Sequence, residues 1–170
     1  MGAAPLRIGV ISDTHGLLRP EALERLRGVD RILHAGDIGA PGIVEALGTV
    51  APVTAIRGNV DRGAWAAAYP ETELLQVGGL AVHLVHAVQD LGPEVLARGV
   101  DVVVSGHSHR ASVETRRGTL FLNPGSAGPR RFRLPVTVAI LTVTDGQASA
   151  EIAEVVPPAA PSTSGSRPRR

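Results

Sequence analysis

Side chains that bind hard or borderline metal ions recur along this chain in short polar breaks: Asp13 and His15, Asp37, Asn59, His86, and His107 with His109. Each break follows a run of apolar, often β-branched residues that reads as a buried strand. In open α/β sheets ligands bind at the carboxyl ends of strands, so loops far apart in sequence should converge on one site. Gly16, Gly36, Gly58 and Gly106 each stand beside a candidate ligand, where a sharp turn or a close backbone approach is needed. Taken singly, Gly-Asp, Gly-Asn and Asp-x-His are ordinary turn fragments. Their joint occurrence in one order is what points to metal chemistry. With no Cys in the chain, a metal has to be held by His, Asp, Glu or Asn, and a thiolate site, a Cys nucleophile and a disulfide are excluded.

The elements that must position these residues follow from periodicity. Leu6–Ile11 reads as a strand, 20–27 as a helix with Pro20 in its first turn and Gly28 as its stop, and Arg31–His34 as a second strand. A helix over 41–47 and a strand over 53–56 continue the βα alternation of a parallel sheet. From Glu73 the rhythm changes to strands at 73–77, 80–85, 100–105, 112–116, 119–122 and 136–143, with one helix at 93–98. Gly78-Gly79 and Arg117-Gly118 read as hairpin turns. One sheet fed by βαβ units and one fed by hairpins predict an α/β fold, a four-layer α/β/β/α sandwich of two mixed sheets flanked by helices.

The chain has 170 residues, enough for one domain with a full core, expected over 1–155. From Val156 the composition turns to Pro, Ala, Ser and Gly and ends in Arg169-Arg170, so 156–170 is expected to be a disordered tail. All 17 basic residues are Arg, yet the formal charge is only +1, so no stable nucleic-acid partner is expected. Aromatics at 2% leave almost nothing on which bases could stack. Met1 to Pro5 carries no basic segment followed by an apolar run, and no apolar stretch approaches the ~18 residues of a membrane span. A cytoplasmic protein without membrane contact is expected, and a homo-oligomer is allowed.

The series Asp13-Thr14-His15, Gly36-Asp37, Gly58-Asn59-Val60-Asp61, His86 and Gly106-His107-Ser108-His109 resembles the calcineurin-like metallophosphoesterases. Within them it is most similar to the small single-domain bacterial and archaeal phosphodiesterases, from about Leu6 to Val143. Asn123-Pro124-Gly125-Ser126 also looks like the small subfamily. The resemblance implies two divalent ions sharing one carboxylate: Asp13, His15, Asp37 and His109 on the first, and Asp37, Asn59, His86 and His107 on the second. Asp37, Asn59 and His86 would then be the catalytic residues. Two ions roughly 3.5–4 Å apart clamp a phosphoryl group and generate hydroxide near neutral pH, so no protein nucleophile is required. Mixed His, Asp and Asn ligation suits Mn, Fe, Zn, Ni or Co without choosing among them, and Mn is the favoured expectation.

Two positions depart from the family pattern. Larger relatives carry a His after the Asn of the third motif, where this chain has Val60, which removes the obvious general acid. The fourth motif usually reads His-Gly, and here Ala87 follows His86, its β-carbon narrowing the space beside the second metal. His83 rivals His86, but side chains three apart on a strand face opposite ways, and His86 is preferred because it lies at the strand end. His34, inside a strand, is read as a hydrogen-bonded core histidine behind the ligands. Asp61 either orients Asn59 and its loop or caps a helix. Asn59 and Arg130 are the candidate substrate-binding residues, while Arg131 and Arg133 are expected on the surface.

The function expected is metal-dependent hydrolysis of a small or nucleotide-type phosphodiester by metal-bound hydroxide. The alternatives are a non-catalytic scaffold or interaction module of the same fold, and a phosphomonoesterase.

Overall fold

The computed structural model describes residues 2–156. Its elements are the strands β1 (Leu6–Ile11), β2 (Arg31–His34), β3 (Val53–Ala55), β4 (Thr72–Val77), β5 (Leu80–Val85), β6 (Val102–Val104), β7 (Ser112–Arg116), β8 (Thr119–Asn123), β9 (Val136–Thr144) and β10 (Gln147–Val156). Three short helices join them: α1 (Pro20–Arg25), α2 (Gly42–Gly48) and α3 (Pro93–Ala97). Every expected strand and helix is present, with ends shifted by a residue or two.

β1 and β2 carry apolar runs that are largely buried, and with the half-buried edge strand β3 they pair in parallel, which requires crossovers. α1 and α2 are those crossovers, and α1 begins at Pro20, which needs no intrahelical N–H partner in the first turn. β9 pairs antiparallel with β1, and β10 with β9, giving a mixed sheet in the order β10-β9-β1-β2-β3. The second sheet, β4-β5-β6-β8-β7, is parallel at its centre and antiparallel at both edges.

Ile8, Val10, Leu33, Leu84, Val104 and Leu141 belong to the principal core, which the inward faces of both sheets close between them. Leu26, Ile32, Ile43 and Leu47 form a second cluster under α1 and α2, and Val85, Val100 and Val103 form a third with Val95 of α3. The result is the expected four-layer sandwich, with thin helical layers.

β10 is an element that the sequence analysis omits. It is the longest strand, at 10 residues. Its alternating residues are small, and none is fully buried, so its hydrophobic periodicity is faint. The usable signal is Asp145-Gly146, whose φ values of 50° and 73° close a tight β9–β10 hairpin. Val156 ends β10 opposite Val136, so order extends one residue past the expected boundary. The rest of the expected tail, 157–170, lies outside the described residues.

Leu84 is fully buried on the inward face of β5. Leu84→Ala is expected to cost about 2–5 kcal/mol, the loss of transfer energy plus a cavity. Urea unfolding measures it, and a loss below about 1 kcal/mol would mean that the two sheets do not pack as described.

Candidate metal centre

The parallel pairing of β1 and β2 does not stop at the strand ends. Asp13 N donates to Gly36 O at 3.0 Å, His15 N to Asp37 O at 3.0 Å and Gly16 N to Ile38 O at 2.8 Å. The loop bearing Asp13 and His15 is thereby laced to the loop bearing Asp37. Asp61 adds the third loop: its carboxylate accepts from Ile38 N at 3.0 Å, Gly39 N at 2.8 Å and Gly58 N at 2.8 Å. It orients the loop rather than capping a helix. Val60 N donates to Asp37 Oδ1 at 3.1 Å, so the residue with the apolar side chain still holds that carboxylate through its backbone.

The second sheet contributes from the other side. Gly106 N donates to His86 O at 2.9 Å, and His107 N to Asp13 Oδ2 at 3.1 Å. Asn123 Nδ2 donates to Gly106 O at 2.9 Å and Ser126 Oγ to Asp13 O at 3.0 Å, so the turn after β8 braces two of the ligand loops. A β-carbon at Gly106 would press on the Asp13 carboxylate and the Ser12 hydroxyl, and one at Gly58 on the Asp37 carboxylate. These close approaches explain both glycines.

Asp13, His15, Asp37, His107 and His109 all have left-handed backbones, with φ between 46° and 70°. Non-glycine residues rarely adopt this region, and each such residue costs roughly 1 kcal/mol or more that the surroundings must offset. The clustering of this strain on the candidate ligands marks a functional site.

Two groups of side chains result: Asp13, His15 and His109, and Asp37, His86 and His107. His109 Nε2 lies 3.2 Å from Asp13 Oδ1, and His86 Nε2 lies 3.2 Å from Asp37 Oδ2. Asp37 Oδ2 is also 3.8 Å from His15 Nε2, which places the Asp37 carboxylate between the groups. Asn59 is exposed and lines a cavity beside His86 and His107. His83 lies on the opposite face of β5 from the inward-facing Val82 and Leu84. Arg130 is half-buried and is not in the cavity wall. Arg131, exposed as expected, is the arginine whose charge reaches His15.

Burial opposes charge on both carboxylates. At Asp13 the His109 imidazole and the Ser12 hydroxyl, with the charges of His86 and His109, outweigh burial and hold the carboxyl below its ordinary range. At Asp37 His86, the Val60 amide and His15 do the same. Burial lowers His15 by more than Asp37 and Asp13 raise it, whereas at His86 the Asp37 carboxylate and the Ala35 carbonyl outweigh burial and raise it. His86 Nδ1 donates to Ala35 O at 2.8 Å, which turns the Nε2 lone pair of the neutral ring toward Asp37.

The donor set fits divalent cations. Asp13 Oδ1 and His86 Nε2 are buried, and neither has a hydrogen-bond partner among the described residues, despite the 3.2 Å approaches. A cation in each group would supply the missing partner.

A family model for the calcineurin-like phosphoesterase superfamily domain matches residues 6–146. The chain belongs to that superfamily. It is 37% identical over 157 residues to the "Probable metallophosphoesterase" of Methanothermobacter thermautotrophicus, covering 85% of this chain and 90% of that one. Among solved structures, a novel archaeal phosphodiesterase superposes with a TM-score of 0.69 at 23% identity, over 86% of this chain and 99% of that one. Wild-type Vps29 of Entamoeba histolytica, complexed with Zn²⁺, does so with a TM-score of 0.65 at 24% identity, over 88% and 99%. The structural likenesses establish the metallophosphoesterase fold, and the family binds divalent metals.

Sequence reasoning passed over Asn123 and Ser126 as functional residues and left Asp61 open, because Asn, Ser and Asp are common in any turn. His34 is placed as expected: fully buried, it accepts from Gly36 N at 3.1 Å through Nδ1, and its Nε2 lies 2.9 Å from Thr14 Oγ1. Thr14 in turn donates to Ile38 O at 2.9 Å. Burial lowers the His34 imidazole from 6.5 to about 4. As pH falls below 6.5 the unfolded chain gains a proton that folded His34 refuses until about pH 4. Stability from His34 is therefore complete above that window and lost on descending through it, by an amount on the order of 3 kcal/mol. Urea unfolding of the metal-free protein across this range should show a shallower loss for His34→Gln than for the wild type. Equal slopes would contradict a neutral His34.

Proposed function

We propose that the chain is a dinuclear metal-dependent phosphodiesterase acting on small or nucleotide-type diesters, with Mn²⁺ as the favoured ion. The observation that carries this reading is Asp37 Oδ2, set 3.2 Å from His86 Nε2 in one group and 3.8 Å from His15 Nε2 in the other. A carboxylate so placed can belong to both ion sites. Asp13, His15 and His109 would complete the first, and Asn59, His86 and His107 the second. When bound, the ions supply Lewis acidity toward the phosphoryl oxygens and a hydroxide nucleophile at neutral pH.

The protein's own contribution is positional. Asp61 and Asn123 hold the ligand loops, and the Val60 amide and the Ala35 carbonyl orient Asp37 and His86. Asn59 is exposed and lines the cavity beside His86 and His107, where its amide can meet a non-bridging phosphoryl oxygen. Val60 places an apolar, 44% exposed side chain where a proton donor would help an alkoxide leave. His34 does not replace that donor, since it is sealed behind Thr14. With Val60 at that position the departing oxygen would lack a proton donor from this residue, so good leaving groups should react best.

The likeness to Vps29 supports a second reading, a scaffold of the same fold. A folded, metal-loaded chain inert toward every ester would favour it.

Asp37→Ala should lose roughly a hundredfold or more of kcat/KM, together with most of the bound metal measured by atomic absorption. Retention of two equivalents of metal and full turnover would remove Asp37 from its shared role. With saturating Mn²⁺, kcat/KM should rise steeply as the leaving-group pKa falls across aryl and alkyl diesters, and matched monoesters should be poorer. A flat dependence with monoesters preferred would replace the phosphodiesterase by a phosphomonoesterase with its own acid.

A further inference from the structure

Beside the second ligand group lies a cavity of about 470 Å³, into which Asn59, His86 and His107 project. Its volume falls within the roughly 300–1,000 Å³ typical of small-molecule sites. The wall away from the ligands is made by Arg57, Glu71, Thr72, Gln89 and Asp90. We infer that this cavity receives one ester arm of the substrate and selects a small neutral polyol, a glyceryl or pentosyl group, over a flat aromatic group or a second phosphate. The inference rests on the phosphodiesterase reading and adds the identity of the arm.

Position comes first. His86 and His107 belong both to the second ligand group and to the cavity wall, so a phosphoryl group held between the two ligand groups has the cavity beside it for one ester arm. The wall chemistry comes second. Thr72 offers a hydroxyl, Gln89 an amide and Asp90 a carboxylate, so the wall supplies both donors and acceptors for the hydroxyls of a polyol. Val85 and Ala87 are the apolar lining residues, and both are small.

Among the described residues no Phe, Tyr or Trp lines the cavity, and its only rings are the His86 and His107 imidazoles. Trp65 and Tyr69 stack edge to face with centroids 6.3 Å apart in the cluster beneath the helices. Phe121 sits under Arg116, and Phe132 is exposed on a separate loop. Beyond those two imidazoles, which already pack edge to face on one another with centroids 5.2 Å apart, a nucleobase would find no ring to stack on in this cavity.

The charges of the wall itself disfavour a second phosphate. The cation of the wall, Arg57, is committed: Nη2 is 3.2 Å from Glu71 Oε1, and Nη1 donates to Tyr69 O at 3.2 Å. With Glu71 and Asp90 set against it, the wall has one cation for two carboxylates. An anionic arm would have to displace Glu71 and face Asp90.

The test uses p-nitrophenyl diesters whose second arm is glyceryl, ethyl, phenyl or phosphoethyl, so that the leaving group is constant. In the Mn²⁺-loaded wild type, kcat/KM should favour the glyceryl arm by about tenfold over the other three, the discrimination of one or two hydrogen bonds. Gln89→Ala and Thr72→Ala should each bring the glyceryl-to-ethyl ratio toward one, while Gln76→Ala, on β4 outside the cavity, should preserve it. Equal rates for all arms, a preference for phenyl or phosphoethyl, or a ratio indifferent to both wall variants would overturn the inference. Calorimetry with glyceryl and ethyl phosphonates, in which methylene replaces the scissile oxygen, separates the two levels. If no ester is hydrolysed, the phosphodiesterase reading falls. The arm preference then stands if the glyceryl phosphonate binds more tightly in a Gln89-dependent way, and falls if the two phosphonates bind equally.

Discussion

Two carboxylates, Asp13 and Asp37, are withdrawn from water between the two sheets, and much of the local structure offsets the cost of keeping them charged there. Each is surrounded by imidazoles and backbone amides that overcome burial and hold it ionised. Ser12 Oγ, His107 N and Val60 N donate to them directly. Behind those donors stand Asp61, which takes three backbone amides from two loops, and Asn123, which fixes the loop bearing His107 and His109. Left-handed backbones at five candidate ligands are sustained by the same lacing.

The compensation is incomplete. Asp13 Oδ1 and His86 Nε2 remain buried without a hydrogen-bond partner among the described residues, and lone pairs from two sheets point into shared space. In most protein interiors such orphans are rare and costly. Here they are what a cation site looks like from the protein's side, and the superfamily to which the chain belongs is one that binds divalent metals. The absence of a proton donor at Val60 and the polar cavity beyond His86, with one cation for two carboxylates, bear on what such a centre would select, not on whether it forms.

Much of this was legible in the sequence because it depends on periodicity and on strand ends. The apolar runs of β1 and β5 fixed their bounds, and placing the polar breaks at strand termini brought together residues as distant as Asp13 and His109. Strand alternation separated His86 from His83. What escaped depends on tertiary pairing. β10 carries mostly Ala, Ser and Glu until Ile152 and its closing valines, and no residue in it is fully buried, so the Asp145-Gly146 turn is its clearest signal. Asp61, Asn123 and Ser126 look like turn residues in sequence, and their bracing roles exist only once loops from different strands meet. Arg131 acts on His15 through space, which no local pattern encodes.

The most direct test is the position of the ions themselves. Anomalous diffraction at the manganese edge from crystals of the Mn²⁺-loaded protein should give two peaks per chain, one bounded by Asp13, His15 and His109, the other by His86 and His107, with Asp37 reaching both. A single peak, peaks away from these residues, or two peaks with Asp37 bound to only one would contradict the account.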